Sequence, residues 1–137
     1  MKLSLGAMSA VLLLMASPGL APAAAVPATL RGAHEVPPVK SEANGTAAIT
    51  IGADKSVSGK LTTVGIVGTA AHIHLGATGK NGPAIITLTK GSDNEWLVHA
   101  GSKLTDEQYA AYKEGKLYVN VHSNAHKPGE IRTQLKP

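Results

Sequence analysis

The 137-residue sequence has no cysteine and no phenylalanine, and its aromatic residues are one tryptophan and three tyrosines. Without cysteine there are no thiolate metal ligands, thiol nucleophiles, iron–sulfur clusters or disulfides, so packing alone holds the fold together. Without phenylalanine the core is built from Val, Ile, Leu and Ala, and the β-branched members of that set suit a pleated, half-buried surface. Nucleic-acid binding is excluded on similar grounds. The formal charge is +4, but the lysines (Lys40, Lys55, Lys60, Lys80, Lys90 and others) are scattered, and too few aromatics stand among them to stack bases. No Gly-Lys-Ser/Thr follows the loop Gly76-Ala77-Thr78-Gly79, so it is no phosphate loop. Ser123 lacks the setting of a nucleophile elbow.

Long apolar runs are also missing. Leu3 to Leu14 is largely apolar but short of the roughly 20 residues that a spanning helix needs, which argues against an integral membrane protein. With Lys2 before it, the break at Ser17-Pro18-Gly19 and the small residues Ala21-Pro22-Ala23-Ala24-Ala25 after it, residues 1–25 read as a secretory signal peptide. The expected product is exported, to the periplasm or the medium, and begins near Val26. Its length suits one domain, residues 26–137.

Short alternating segments separated by Gly, Asn, Asp and Pro fill that domain. Strands are predicted over 28–36, 46–51, 57–64, 70–75, 84–89, 96–100, 116–122 and 130–135. One helix is predicted from the capping box Thr105-Asp106-Glu107-Gln108 to a left-handed stop at Gly115. The expected fold is all-β: a two-layer antiparallel Greek-key-like β-sandwich with one short helix.

Side chains alternate across a strand, so three segments each divide into an apolar and a polar face. Ala71, Ile73 and Leu75 oppose His72 and His74; Leu117, Val119 and Val121 oppose Tyr118, Asn120 and His122; Ile131, Thr133 and Leu135 oppose Glu130, Arg132 and Gln134. The polar faces are expected to point outward, with Glu130 and Arg132 in ordinary surface ion pairs, with each other or with neighbours. His72 and His74 are about 6.6 Å apart at Cα, close enough for two imidazoles to lean onto one ion. His122 would add a third ligand if its strand neighbours theirs, and His126 a fourth. A nitrogen-only set suits zinc, copper, iron or nickel, with affinity peaking at copper(II), and is a poor match for calcium or magnesium. His34 is expected at the surface, Trp96 in the core, and His99 as a partly buried, hydrogen-bonded histidine.

The segments 30–38 (Leu-Arg-Gly-Ala-His-Glu-Val-Pro-Pro), 71–76 (Ala-His-Ile-His-Leu-Gly), Asn81-Gly82-Pro83, 118–123 (Tyr-Val-Asn-Val-His-Ser) and Gly129-Glu130-Ile131-Arg132 resemble the chordin-type, or CHRD, domain family. They fall in the family's order along nearly all of the mature chain. Thr133 departs from the glycine the family often has after the arginine. The resemblance implies a β-sandwich. A looser similarity, between sites alone, is to copper/zinc superoxide dismutases. It would match His72 and His74 to their His-x-His pair, His122 to their later copper ligand and Arg132 to their anion-guiding arginine. No zinc loop, cysteine pair or long electrostatic loop accompanies it, so it implies a mononuclear site.

Besides a structural domain whose histidines are incidental, two functions from different classes remain open on the sequence. One is an exported copper domain with His72, His74, His122 and His126 at the metal. Its copper would either be buffered or serve a copper-only superoxide dismutase-like activity, with Arg132 drawing in superoxide or another small anion. The other is an extracellular protein-interaction module without metal, although such interfaces favour aromatic and arginine anchors, and this chain has few.

Overall fold

The computed structural model describes residues 25–137; the expected signal peptide lies outside them apart from its last residue. Nine strands and one helix follow in order: β1 (Ala28–Arg31), β2 (Asn44–Ile51), β3 (Val57–Val64), β4 (Gly68–Leu75), β5 (Ala84–Thr87), β6 (Thr89–Lys90), β7 (Glu95–Leu97), α1 (Asp106–Lys113), β8 (Leu117–Ser123) and β9 (Ile131–Leu135). The pairing is antiparallel throughout, in the order β5-β4-β8-β9-β1-β2-β3-β7-β6. The first and last strands of that order, β5 and β6, are separated only by Leu88. The sheet therefore folds over its own core and nearly closes, and the two expected layers are halves of one sheet. Near-closure covers edges that would otherwise pair with other chains.

The alternation read from the sequence places the core correctly. Ala71, Ile73, Leu117, Val119, Val121 and Ile131 are fully buried, and they join Leu30, Leu61, Leu88 and Trp96 in one apolar cluster. Each large aliphatic side chain taken from water contributes roughly 1.5–3 kcal/mol. Helix α1 begins as expected: the Thr105 hydroxyl accepts from the Gln108 N–H at 3.1 Å, and the Gln108 side chain accepts from the Thr105 N–H at 2.9 Å. Gly115 ends the helical segment at φ +73°.

Three expectations need correction. The first strand stops at Arg31, because Gly32–His34 form a 3₁₀ turn whose Gly32 carbonyl accepts from both Glu35 and Val39. His99 is exposed rather than partly buried, and its Nδ1 lies 2.8 Å from the Ala100 carbonyl in a turn. The third bears on function. The polar face of β4, β8 and β9 does not look out into water: Tyr118, Asn120, Arg132 and Glu130 are all buried, as is His74. The segments 35–38 and 76–83 fold back over this face, held to each other by a 2.7 Å hydrogen bond from the Asn81 amide to the Val36 carbonyl. Glu130 and Arg132 form no ion pair; each is engaged elsewhere.

Candidate metal centre

The register of β4, β8 and β9 lays out the covered face. His72 is paired with Asn120 and His74 with Tyr118, while His122 faces Ala70. On the far side of β8, Tyr118 is paired with Gln134 and Asn120 with Arg132. Ala70 presents only a methyl group to His122, so the imidazoles of His72 and His122, diagonal neighbours on adjacent strands, can close on each other. Their ring centroids are 4.8 Å apart, and those of His72 and His74 5.5 Å. One ligating nitrogen from each of His72, His74 and His122 falls within 4.8 Å of the other two.

The hydrogen bonds decide which nitrogens are free. His74 Nδ1 lies 2.9 Å from the Gly82 carbonyl, and His122 Nδ1 lies 2.7 Å from the Lys127 carbonyl. A carbonyl only accepts, so both rings carry their proton on Nδ1 and keep the Nε2 lone pair for a ligand. His74 Nε2 is buried and has no partner. His122 Nε2 accepts instead from His72 Nδ1, 2.9 Å away. Burial holds the His72 imidazole below its usual pKa, reinforced by the neighbouring His122 and His74. Burial also lowers His74, against the opposing effect of its bond to Gly82. Both rings are therefore neutral at pH 7, the form in which imidazole binds metals.

Behind the histidines stands a layer of supporting groups. The Tyr118 ring stacks on His74, with centroids 4.7 Å apart and planes 4° from parallel. The Arg132 guanidinium lies 3.5 Å from the centre of the Tyr118 ring. That guanidinium also donates to the Ala77 carbonyl at 3.1 Å, Asn81 Oδ1 at 3.3 Å and Gln134 Oε1 at 3.1 Å. Glu130 holds the other flank: its carboxylate accepts from Ser123 and from Ser41, each at 2.7 Å. Glu35 is buried beside Asn120, and burial raises its carboxyl to about 7 against the opposing effects of Asn120 and the Arg132 charge. Glu35 Oε1 and Asn120 Oδ1 share with His74 Nε2 the lack of a hydrogen-bond partner.

Of the residues singled out from the sequence, the structure brings His72, His74 and His122 together. His126 does not join them. It sits in the turn after β8, where its backbone N–H donates to the Ser123 hydroxyl at 3.1 Å. Arg132 is about 1% exposed, behind Tyr118 and the 76–83 segment. Sequence reasoning missed Glu35, Gly82 and the Lys127 carbonyl. Glu35 reaches the site through a turn that strand periodicity does not anticipate, and a backbone carbonyl leaves no mark on residue identity. Gly82 at least stood in a recognisable Asn-Gly-Pro turn; a Cβ there would overlap the Leu75 carbonyl oxygen, so only glycine can bring its own carbonyl to His74.

The sequence model of the CHRD domain matches residues 26–135. No curated protein and no solved structure matches the chain, so the likeness to copper/zinc superoxide dismutases gains no support from these comparisons. The match covers nearly all of the described residues, and its span contains the histidine cluster, the loops over it and both strands that anchor those loops: the chain belongs to the CHRD domain family.

Proposed function

We propose that this domain, exported from the cytoplasm, holds a single copper ion through His72, His74 and His122. One observation carries the reading: three imidazoles converge within 4.8 Å, two of them, His74 and His122, with Nδ1 turned to a backbone carbonyl. Metal-ligating histidines ordinarily donate their other ring N–H to a carbonyl or carboxylate, as His74 and His122 do here. Nitrogen ligands without thiolate or carboxylate favour late first-row metals, with copper(II) the strongest binder. Export is supported by the N-terminal sequence and is consistent with the family.

Bound there, copper would supply one-electron redox chemistry. Buffering is nevertheless the better-supported role. Arg132, the residue that would steer superoxide, already gives its guanidinium to Ala77, Asn81 and Gln134 and lies against Tyr118. His126 remains available as a fourth ligand only if its turn rearranges. Family membership supports a second reading, an extracellular interaction module without metal.

Competition between the metal-free domain and a chelator of known copper affinity separates the two. Stoichiometric uptake by the wild type, weakened at least about tenfold in His122→Ala, is the expected result. Equal affinity of wild type and variant would remove the site and leave the interaction module.

A further inference from the structure

The segment between β4 and β5 is tied down by Asn81 to the Val36 carbonyl, by the Gly76 N–H to the Lys116 carbonyl, and by polar bonds from side chains of β4, β8 and β9. Gln134 donates to the Gly76 carbonyl at 2.7 Å. Arg132 holds both the Ala77 carbonyl and the Asn81 side chain. The Tyr118 hydroxyl accepts from the Gly82 N–H at 3.1 Å. The last bond in the series is the one from His74 Nδ1 to the Gly82 carbonyl. Arg132 alone grips the segment at two separate points, and its own position is set by burial and by the face of Tyr118, the ring that stacks on His74.

We infer that Arg132 is a positioning residue for the metal centre: by holding the 76–83 segment down, it keeps the Gly82 carbonyl over His74 and so locks His74 with its proton on Nδ1. This rests on the copper reading for its purpose, though not for its geometry. An unrestrained neutral histidine favours the tautomer with the proton on Nε2. A loosened segment would therefore move the proton onto the nitrogen that must ligate. His122 takes its tautomer from Lys127, in a turn that Arg132 does not touch, and so provides an internal control. A guanidinium can bridge two acceptors in a fixed plane and a lysine ammonium cannot reproduce that fork, so Arg132→Lys should fail to rescue the arrangement despite keeping the charge.

The test is long-range ¹H–¹⁵N correlation of the histidine rings in the metal-free protein at a pH where they are neutral. Wild-type His74 and His122 should both show the pattern of a single Nδ1–H tautomer. In Arg132→Lys the His74 equilibrium should shift about five- to tenfold toward Nε2–H, the effect of losing one ordinary hydrogen bond, while His122 stays as it was. A folded variant with His74 unchanged, or with both rings shifted alike, overturns the inference. If Arg132→Lys does not fold, Asn81→Ala combined with Gln134→Ala loosens the same segment and is judged by the same two rings. A wild type that takes up no copper yet shows the His74-specific shift would sink the metal reading alone. Copper uptake by the wild type with no tautomer shift in the variant would sink this inference alone.

Discussion

Nδ1 of His72 and Nε2 of His122 lie 2.9 Å apart, joined by a hydrogen bond across two neighbouring strands. Because His122 has its proton on Nδ1, the shared proton belongs to His72. If the proposed ion binds here, it would displace that proton, which neutral His72 could retain on its other nitrogen. Ligation would then take the place of the hydrogen bond that already holds these two rings together.

His72→Ala should therefore abolish tight copper binding with little effect on the fold, since the ring is half-buried and its one side-chain hydrogen bond is to another ligand. Copper titration together with thermal unfolding checks both parts. We expect affinity to fall by well over tenfold and stability to change by no more than about 1 kcal/mol.

Tyr118→Phe keeps the ring stacked on His74 but leaves the Gly82 N–H without its acceptor. Losing one hydrogen bond at this half-buried donor costs about 0.5–1.5 kcal/mol. Urea denaturation should show a loss in that range. Tyr118→Leu, which also removes the stack and the surface beneath Arg132, should lose more.

Much of the fold could be read from period-two alternation. Leu117, Val119 and Val121 point inward as their spacing requires, and Thr105 and Gln108 form the capping box that their spacing announces. The same alternation correctly put His72, His74 and His122 on one side of the sheet. It could not show that this side is covered, because alternation separates two faces without saying what lies over either. The cover comes from segments 35–38 and 76–83, whose return depends on contacts such as Asn81 to Val36, 45 residues apart in sequence. His126 was grouped with the others by proximity to His122 in sequence, but beyond the end of β8 no strand periodicity holds it on that face.

Glu35 should make stability depend on pH. Burial raises its carboxyl from 4.5 to about 7, so between those values the folded protein keeps a proton that the unfolded chain has released. This contribution is complete below pH 4.5 and is lost as pH rises through about 7. Each pH step of one across that window removes about 1.4 kcal/mol, so the whole contribution reaches about 3 kcal/mol. Denaturation of the metal-free domain at about pH 5 and about pH 8 should show the fall, and Glu35→Gln should flatten it. An unchanged slope in Glu35→Gln would assign the dependence to other groups.

Gly129→Ala should be among the more damaging small substitutions. Gly129 has φ +132°, and a Cβ there would crowd Asn120 and Glu35, both buried. Backbone strain of about 1–3 kcal/mol adds to the displacement of those side chains. A thermal midpoint close to the wild type's would contradict the close approach of this turn to the polar layer.

Whether the three imidazoles form one copper site is tested most directly by electron paramagnetic resonance of the metal-free domain during copper(II) titration. We predict one saturable, tetragonal species with coupling to several nitrogens, complete at one equivalent, and absent from His72→Ala. A spectrum that never saturates, or one that is the same in the variant, would contradict it.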